Sequence, residues 1–242
     1  MSEARERILA RIRSSLNRGR LDPNTEAELR ARIAAHRRNP VPARATALDH
    51  RAQVDLFVAM AEEVQATIVR VDTLAAAPEA VARYLAAENL AAELVLAPDP
   101  GLDSIPWKDR PLLRIRRGRA EATDKVSVTA CHAAVAETGS LMLISGPQTP
   151  TTLNFLPDTQ IVILRAGQVL ATYEDAWERL RHESPENLPR TINFITGPSR
   201  TADIEQHIEL GAHGPRRLHI VLVEHDQVSE GEDGEQHSAA AG

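Results

Sequence analysis

The chain is predicted to be an α/β protein, with a mainly parallel open sheet, helices on both faces and an amino-terminal helical segment. Three observations predict this. Short apolar runs rich in Val, Ile and Leu alternate with segments of helical periodicity. Apolar residues make up 43% of the chain but aromatic residues only 3%, so the core must rest on Ala, Val, Leu and Ile. That composition suits helices laid on a β-branched parallel sheet. Finally, the first forty residues lack strand-like runs altogether.

At the amino end, Ile8, Leu9, Ile12 and Leu16 recur at helical spacing, with Gly19 as a stop. Asp22-Pro23 opens a second helix through about Arg37, with proline in its first turn and only Leu29 and Ile33 as large apolar residues. Asn39-Pro40-Val41-Pro42 reads as a linker. Residues 1–40 are therefore expected to form a helical extension that grips its own chain weakly or a partner instead.

From Ala47 the pattern changes. Val54, Phe57, Val58, Ala61 and Val64 define one helical face, and Thr67–Val71 is a short strand. Pro78 to Glu88 is a helix with Val81, Tyr84 and Leu85 inward, followed by the strand Glu93–Leu96. Leu112 to Arg116 alternates with Arg, as an edge strand does. Further strands are expected at Leu141–Ile144, Ile161–Leu164, Thr191–Ile195 and Leu218–Val223, with a helix over Tyr173 to Arg181. The α/β domain thus spans 41–226. Residues 227–242, rich in Glu, Gly, Ser and Ala, read as a disordered acidic tail.

Charge is unevenly spread. Residues 1–51 carry 12 Arg against 6 acids, and 224–242 carry 6 acids with no Lys or Arg, within a net charge of −6. The arginines are interleaved with acids and have no aromatic stacking partners, so nucleic acid is not an expected ligand. No apolar run reaches membrane-spanning length and the amino terminus is charged, which argues against a membrane span or signal peptide; a cytoplasmic protein is expected. The single cysteine, Cys131, rules out an intrachain disulfide and an iron–sulfur cluster held by this chain alone. Cys131 and His132 are adjacent, so a Cys–His dyad is not expected. His207, His213 and His219 are evenly spaced but fall on different elements, so no metal site is expected.

Two motifs stand out. In Thr196-Gly197-Pro198-Ser199-Arg200-Thr201-Ala202-Asp203-Ile204-Glu205, a strand ends in Gly-Pro, and Thr201 onward reads as a helix capped by Ser199 or Thr201. Arg200 adds a fixed positive charge suited to carboxylate or phosphate, at the strand end where open α/β sheets bind ligands. The same residues also fit an ordinary capped helix in which Arg200 pairs with Asp203. In Glu137-Thr138-Gly139-Ser140, a carboxylate precedes a glycine turn that leads into a buried strand. Glu137 reads either as base or nucleophile at a cleft, or as an acceptor for the turn's N–H groups. The loop Gly211-Ala212-His213-Gly214-Pro215 places His213 where it can meet a ligand or simply mark a turn. The site residues this implies are Glu137 as the catalytic candidate, with Thr138, Gly139, Ser140, Thr196, Gly197, Ser199, Arg200, Thr201, His213 and Gly214 around a ligand. No Gly-rich dinucleotide fingerprint or P-loop is present.

Ile8–Arg13, Ala136–Leu141, Phe155-Leu156-Pro157 before Ile161–Leu164, Gly197–Glu205 and Gly211–Pro215 together resemble the lactate utilization protein C family, built on the LUD domain. The resemblance implies a fold like those of glucosamine-6-phosphate deaminase, ribose-5-phosphate isomerase and CoA transferases. It also implies a part in oxidising L-lactate to pyruvate, beside two partner proteins that carry the iron–sulfur clusters; this chain would be the cluster-free, accessory member. One departure from the pattern is the turn Gly146–Thr152, which has no Arg where a basic residue is expected. Two other functions remain open on the sequence: a free-standing isomerase- or CoA-transferase-like enzyme using Glu137, and a regulatory or scaffold protein with a vestigial pocket.

Overall fold

A computed structural model describes residues 3–17, 19, 21–185, 187–202 and 208–225. The chain divides into two units, Met1–Pro40 and Val41–Gly242.

In the first unit, α1 spans Glu3–Ser15 and α2 spans Pro23–Ala35. Asp22 caps α2 by accepting from the N–H groups of Asn24 and Thr25 at 3.1 and 3.0 Å, with Pro23 at the first helical position. Asn17, at φ +49°, turns the chain after α1, two residues before the expected Gly19. Neither helix buries a residue, and Ile8, Ile12, Leu29 and Ile33 are exposed.

The second unit begins with the short α3 (Ala43–Thr46) and α4 (His50–Glu63), the latter capped by Asp49. There follow β1 (Thr67–Val71), α5 (Ala77–Ala87), β2 (Glu93–Leu96), β3 (Arg114–Arg117), β4 (Val126–Ala130), β5 (Ala133–Val135) and β6 (Ser140–Ile144). The chain continues through α6 (Thr152–Phe155), β7 (Thr159–Arg165), β8 (Val169–Leu170), α7 (Tyr173–Glu183) and β9 (Ile192–Ile195). It closes with β10 (Arg200–Ala202), β11 (Ile208–Leu210) and β12 (Arg217–Val223).

Six strands pair in the order β1-β12-β7-β4-β2-β3, all parallel. Their two faces are read directly from alternation. Ile161 and Ile163 of β7, with Val221 and Val223 of β12, pack under Val81, Tyr84 and Leu85 of α5. Val162, Leu164, Ile220 and Leu222 point the other way, toward Val54, Phe57 and Ala61 of α4. Each of these fully buried aliphatic chains contributes about 1.5–3 kcal/mol of transfer free energy. The Arg-rich β3 is the sheet edge, as its alternation predicts.

The second face is shared with a feature the sequence reading lacked. A second sheet, β8-β5-β6-β9, lies over it. Ala134, Leu141 and Leu143 join the α4 core, while Val135 and Met142 face Ala176 and Leu180 of α7. Three expectations are corrected here. The strands at Leu141–Ile144 and Ile192–Ile195 are not part of the parallel sheet; the first, in β6, pairs antiparallel with β5, and the second pairs antiparallel with β6. The residues from Arg200 do not open a helix: Arg200–Ala202 form β10, antiparallel to β11. The hydroxyl-rich turn mimics a helix cap, but its backbone is committed to distant partners, Ser199 N–H to Pro215 O at 2.8 Å and Gly211 N–H to Ser199 O at 3.0 Å. Asp203, Ile204, Glu205, His207 and the tail 227–242 lie outside the described residues. Among the described residues, no helix is long and apolar enough to cross a membrane.

Candidate functional site

The parallel sheet gives way to the second sheet at Cys131-His132, directly after β4. The crossing opens a cleft of about 240 Å3 beyond the carboxyl ends of the central strands, the position where open α/β sheets hold ligands. Its walls come from several elements. The β4 end supplies Thr129, Cys131 and His132, the loop after β2 supplies Asp99, and the turn after β7 supplies Gln168. Leu143 and Ile144 of β6, Thr149, Asn154 of α6, and Arg179 and Glu183 of α7 complete it.

Local chemistry fixes these side chains. Cys131 is buried; its thiol donates to Ala133 O at 2.8 Å, and burial pushes its pKa up to about 12. It is a structural thiol rather than a nucleophile. His132 N–H donates to Met142 O at 3.0 Å, anchoring the crossing. Its ring carries Nδ1 3.7 Å from Glu183 Oε2, while Nε2 is buried without a partner among the described residues. Burial lowers the pKa of His132 below the ordinary histidine value, against the opposing pull of Glu183. Glu183 is also held by Arg179 Nε at 3.0 Å. Gln168 donates to Cys131 O and accepts from Arg165 N–H at 2.9 Å, tying the β7 exit to the crossing.

The residues singled out in the sequence fall into two other places. Glu137 Oε1 accepts from Tyr173 N–H at 3.3 Å, so it caps the start of α7. Thr138 and Ser140 do meet Thr196: Ser140 Oγ lies 2.8 Å from Thr138 Oγ1, 2.6 Å from Thr196 Oγ1 and 2.8 Å from Tyr173 Oη. The two motifs thus converge in a hydroxyl cluster at the head of α7. Their glycines grip α4. A Cβ on Gly139 would sit 2.3 Å from Ala61 N, and one on Gly197 would sit 2.4 Å from Val64 O, both at positive φ. Ser199 gathers the last loop: its Oγ accepts from His213 N–H at 3.2 Å, and Gly214 lies against it. His213 is exposed. Arg200 is exposed and opposes Leu210 in the β10–β11 pair, and Thr201 is its neighbour in the same strand. None of these residues lines the cleft at the sheet's carboxyl end.

The sequence reading missed Asp99, Thr129, His132, Asn154, Gln168, Arg179 and Glu183. The available signal was the alternation Val126-Ser127-Val128-Thr129-Ala130, whose polar face reaches the site. Among the described residues, no cluster of three His, Cys, Asp or Glu could hold a metal ion.

Fold and cleft together define an open α/β protein with a small polar crevice at the carboxyl ends of a parallel sheet, roofed by a second sheet. The LUD domain family model matches residues 54–223, and the chain belongs to that family. It is similar to lactate utilization protein C of Geobacillus sp. (strain WCH70), 37% identical over 101 residues that cover 40% of this chain and 42% of that protein. It is also similar to the uncharacterized protein YkgG of Escherichia coli (strain K12), at 28% identity over 75% of this chain and 84% of that one. The match to the Geobacillus protein therefore takes in less than half of either chain. A solved structure of a DUF162 family protein from Deinococcus radiodurans shares the fold, with TM-score 0.57 at 24% identity over 73% of this chain and 99% of that one.

Proposed function

We propose that this chain is a cluster-free accessory component of a system that oxidises L-lactate to pyruvate. A role in lactate utilization follows from its family and from relatives bearing the name lactate utilization protein C. The finer reading is carried by one observation: the only thiol, Cys131, is buried, is bonded to Ala133 O and resists ionisation. A redox cluster needs several thiolates, which supports a cluster-free role for this chain; in this reading the electrons drawn from lactate pass to iron–sulfur clusters on two partner proteins. The chain's own contribution is the cleft at His132 and Arg179, a small polar space suited to holding an acid.

The test is L-lactate-dependent dye reduction in extracts that lack this chain. Activity lost in its absence and restored by the purified protein is the expected result. Full activity without it would remove the chain from lactate oxidation.

A further inference from the structure

Six of the ten exposed large apolar side chains among the described residues, Ile8, Ile12, Leu16, Leu21, Leu29 and Ile33, fall within residues 1–40. In α1, Ile8, Ile12 and Leu16 recur at intervals of four and share one face, which the half-exposed Leu9 widens. Arg11 and Arg13 flank Ile12 in the sequence, which sets them about 100° to either side of this stripe. Neither has an ion-pair partner among the described residues. In the second unit, by contrast, Arg70, Arg114, Arg116 and Arg217 each hold a carboxylate. Glu3 and Glu6 lie toward the opposite side of α1. Residues 1–40 carry 10 Arg against 5 acids, a net +5 in a chain of −6, so residues 41–242 carry −11.

We propose that α1 lies on an anionic lipid bilayer surface, with Ile8, Leu9, Ile12 and Leu16 at the acyl boundary and Arg11 and Arg13 among the headgroup phosphates. An arginine beside an aliphatic stripe can lay its stem along the apolar layer and keep its guanidinium at the charged one. The charge split selects the part that makes contact. The acidic remainder of the chain is repelled by an anionic surface, and the basic hairpin is drawn to it. A second copy's hairpin is disfavoured as the occupant, because it sets +5 against +5. A protein groove is disfavoured because protein interfaces are anchored by aromatic side chains, and residues 1–40 contain no Phe, Tyr or Trp. The contact is peripheral: among the described residues, no helix is long and apolar enough to cross a membrane.

The experiment is cosedimentation of the full chain with vesicles of phosphatidylcholine alone and of an equal mixture of phosphatidylcholine and phosphatidylglycerol. Binding is expected to the mixed vesicles only, and it should fall as salt rises. Ile12→Gln, which keeps a helix former and adds no charge, should weaken binding by about tenfold or more. Arg11→Gln and Arg13→Gln should each weaken it about fivefold, the share of one charge near the surface. Leu112→Gln is the control, because Leu112 is the most exposed large apolar side chain of the second unit, at 85%, and its loss should leave binding unchanged. Circular dichroism checks the fold of every variant. No sedimentation with the mixed vesicles, equal sedimentation with both kinds, or equal losses from Ile12→Gln and Leu112→Gln would overturn the proposal. So would a chain that ignores vesicles while a folded Ile12→Gln fails to restore lactate oxidation, since the stripe would then be a protein-docking face.

Discussion

Replacing Gly139 by alanine should destabilise the protein by about 2–5 kcal/mol, because the added methyl meets helix backbone at a positive φ. Two costs add. At φ +65° an L side chain gives up about 1–2 kcal/mol of backbone strain. The new Cβ would also lie 2.3 Å from Ala61 N, 2.6 Å from Met60 C and 2.7 Å from Ala61 Cα, all backbone atoms of α4. A helix backbone cannot rotate aside as a side chain can, so α4 must retreat and loosen Phe57 and Ala61 from the sheet, at a further cost of about 1–3 kcal/mol. Urea unfolding should show the midpoint falling steeply. Gly146→Ala is the control, because its Cβ would meet only the Thr149 hydroxyl at 3.3 Å, and it should stay within about 1 kcal/mol of the parent. Equal effects at the two glycines would contradict this account of the Gly139 turn.

The second large effect is acid sensitivity through His219. Its ring stacks on Tyr84 at 3.8 Å, its Nδ1 lies 2.8 Å from Thr67 Oγ1, and Nε2 is buried without a partner among the described residues. Burial pushes the pKa down to about 4. The unfolded chain, with histidine near 6.5, takes up a proton that the folded chain refuses between those values. Stability is therefore undiminished above pH 6.5 and falls as pH drops toward 4, by about 3 kcal/mol in all for this group. His132, also lowered by burial, adds loss of the same sign. His219→Phe keeps the stack on Tyr84 and removes the titration. Its urea midpoint should change less than the parent's between pH 7 and pH 4.5, and an identical pH dependence would rule His219 out.

The parallel sheet was legible because its strands are continuous β-branched runs. Ile161–Leu164 and Leu218–Val223 are buried on both faces, and helices α4 and α5 show their inward residues at plain helical spacing. The second sheet was hidden for physical reasons. Its strand β5 is Ala133-Ala134-Val135, too short and too small to signal a period, and it is defined by pairing with Leu141 and Val169 rather than by its own residues. β4 was missed because Ser127 and Thr129 interrupt an apolar run, the first donating to Leu153 O and the second serving the cleft. The same interruption concealed the site. The glycine motifs drew notice for what they are, obligatory turns, but their glycines are required by contact with α4 and their hydroxyls by one another. Thr196 and Ser140 meet in the hydroxyl cluster at the head of α7; the cleft lies elsewhere, at residues without a motif.

The most direct measurement restores L-lactate-dependent dye reduction to extracts lacking this chain, using three purified proteins side by side: the parent, Glu137→Gln and His132→Leu. Glu137→Gln keeps the acceptor for Tyr173 N–H and should restore activity fully, while His132→Leu, folded by circular dichroism, should restore little. Full restoration by His132→Leu with failure of Glu137→Gln would contradict the placement of the functional cleft at the carboxyl ends of the parallel sheet.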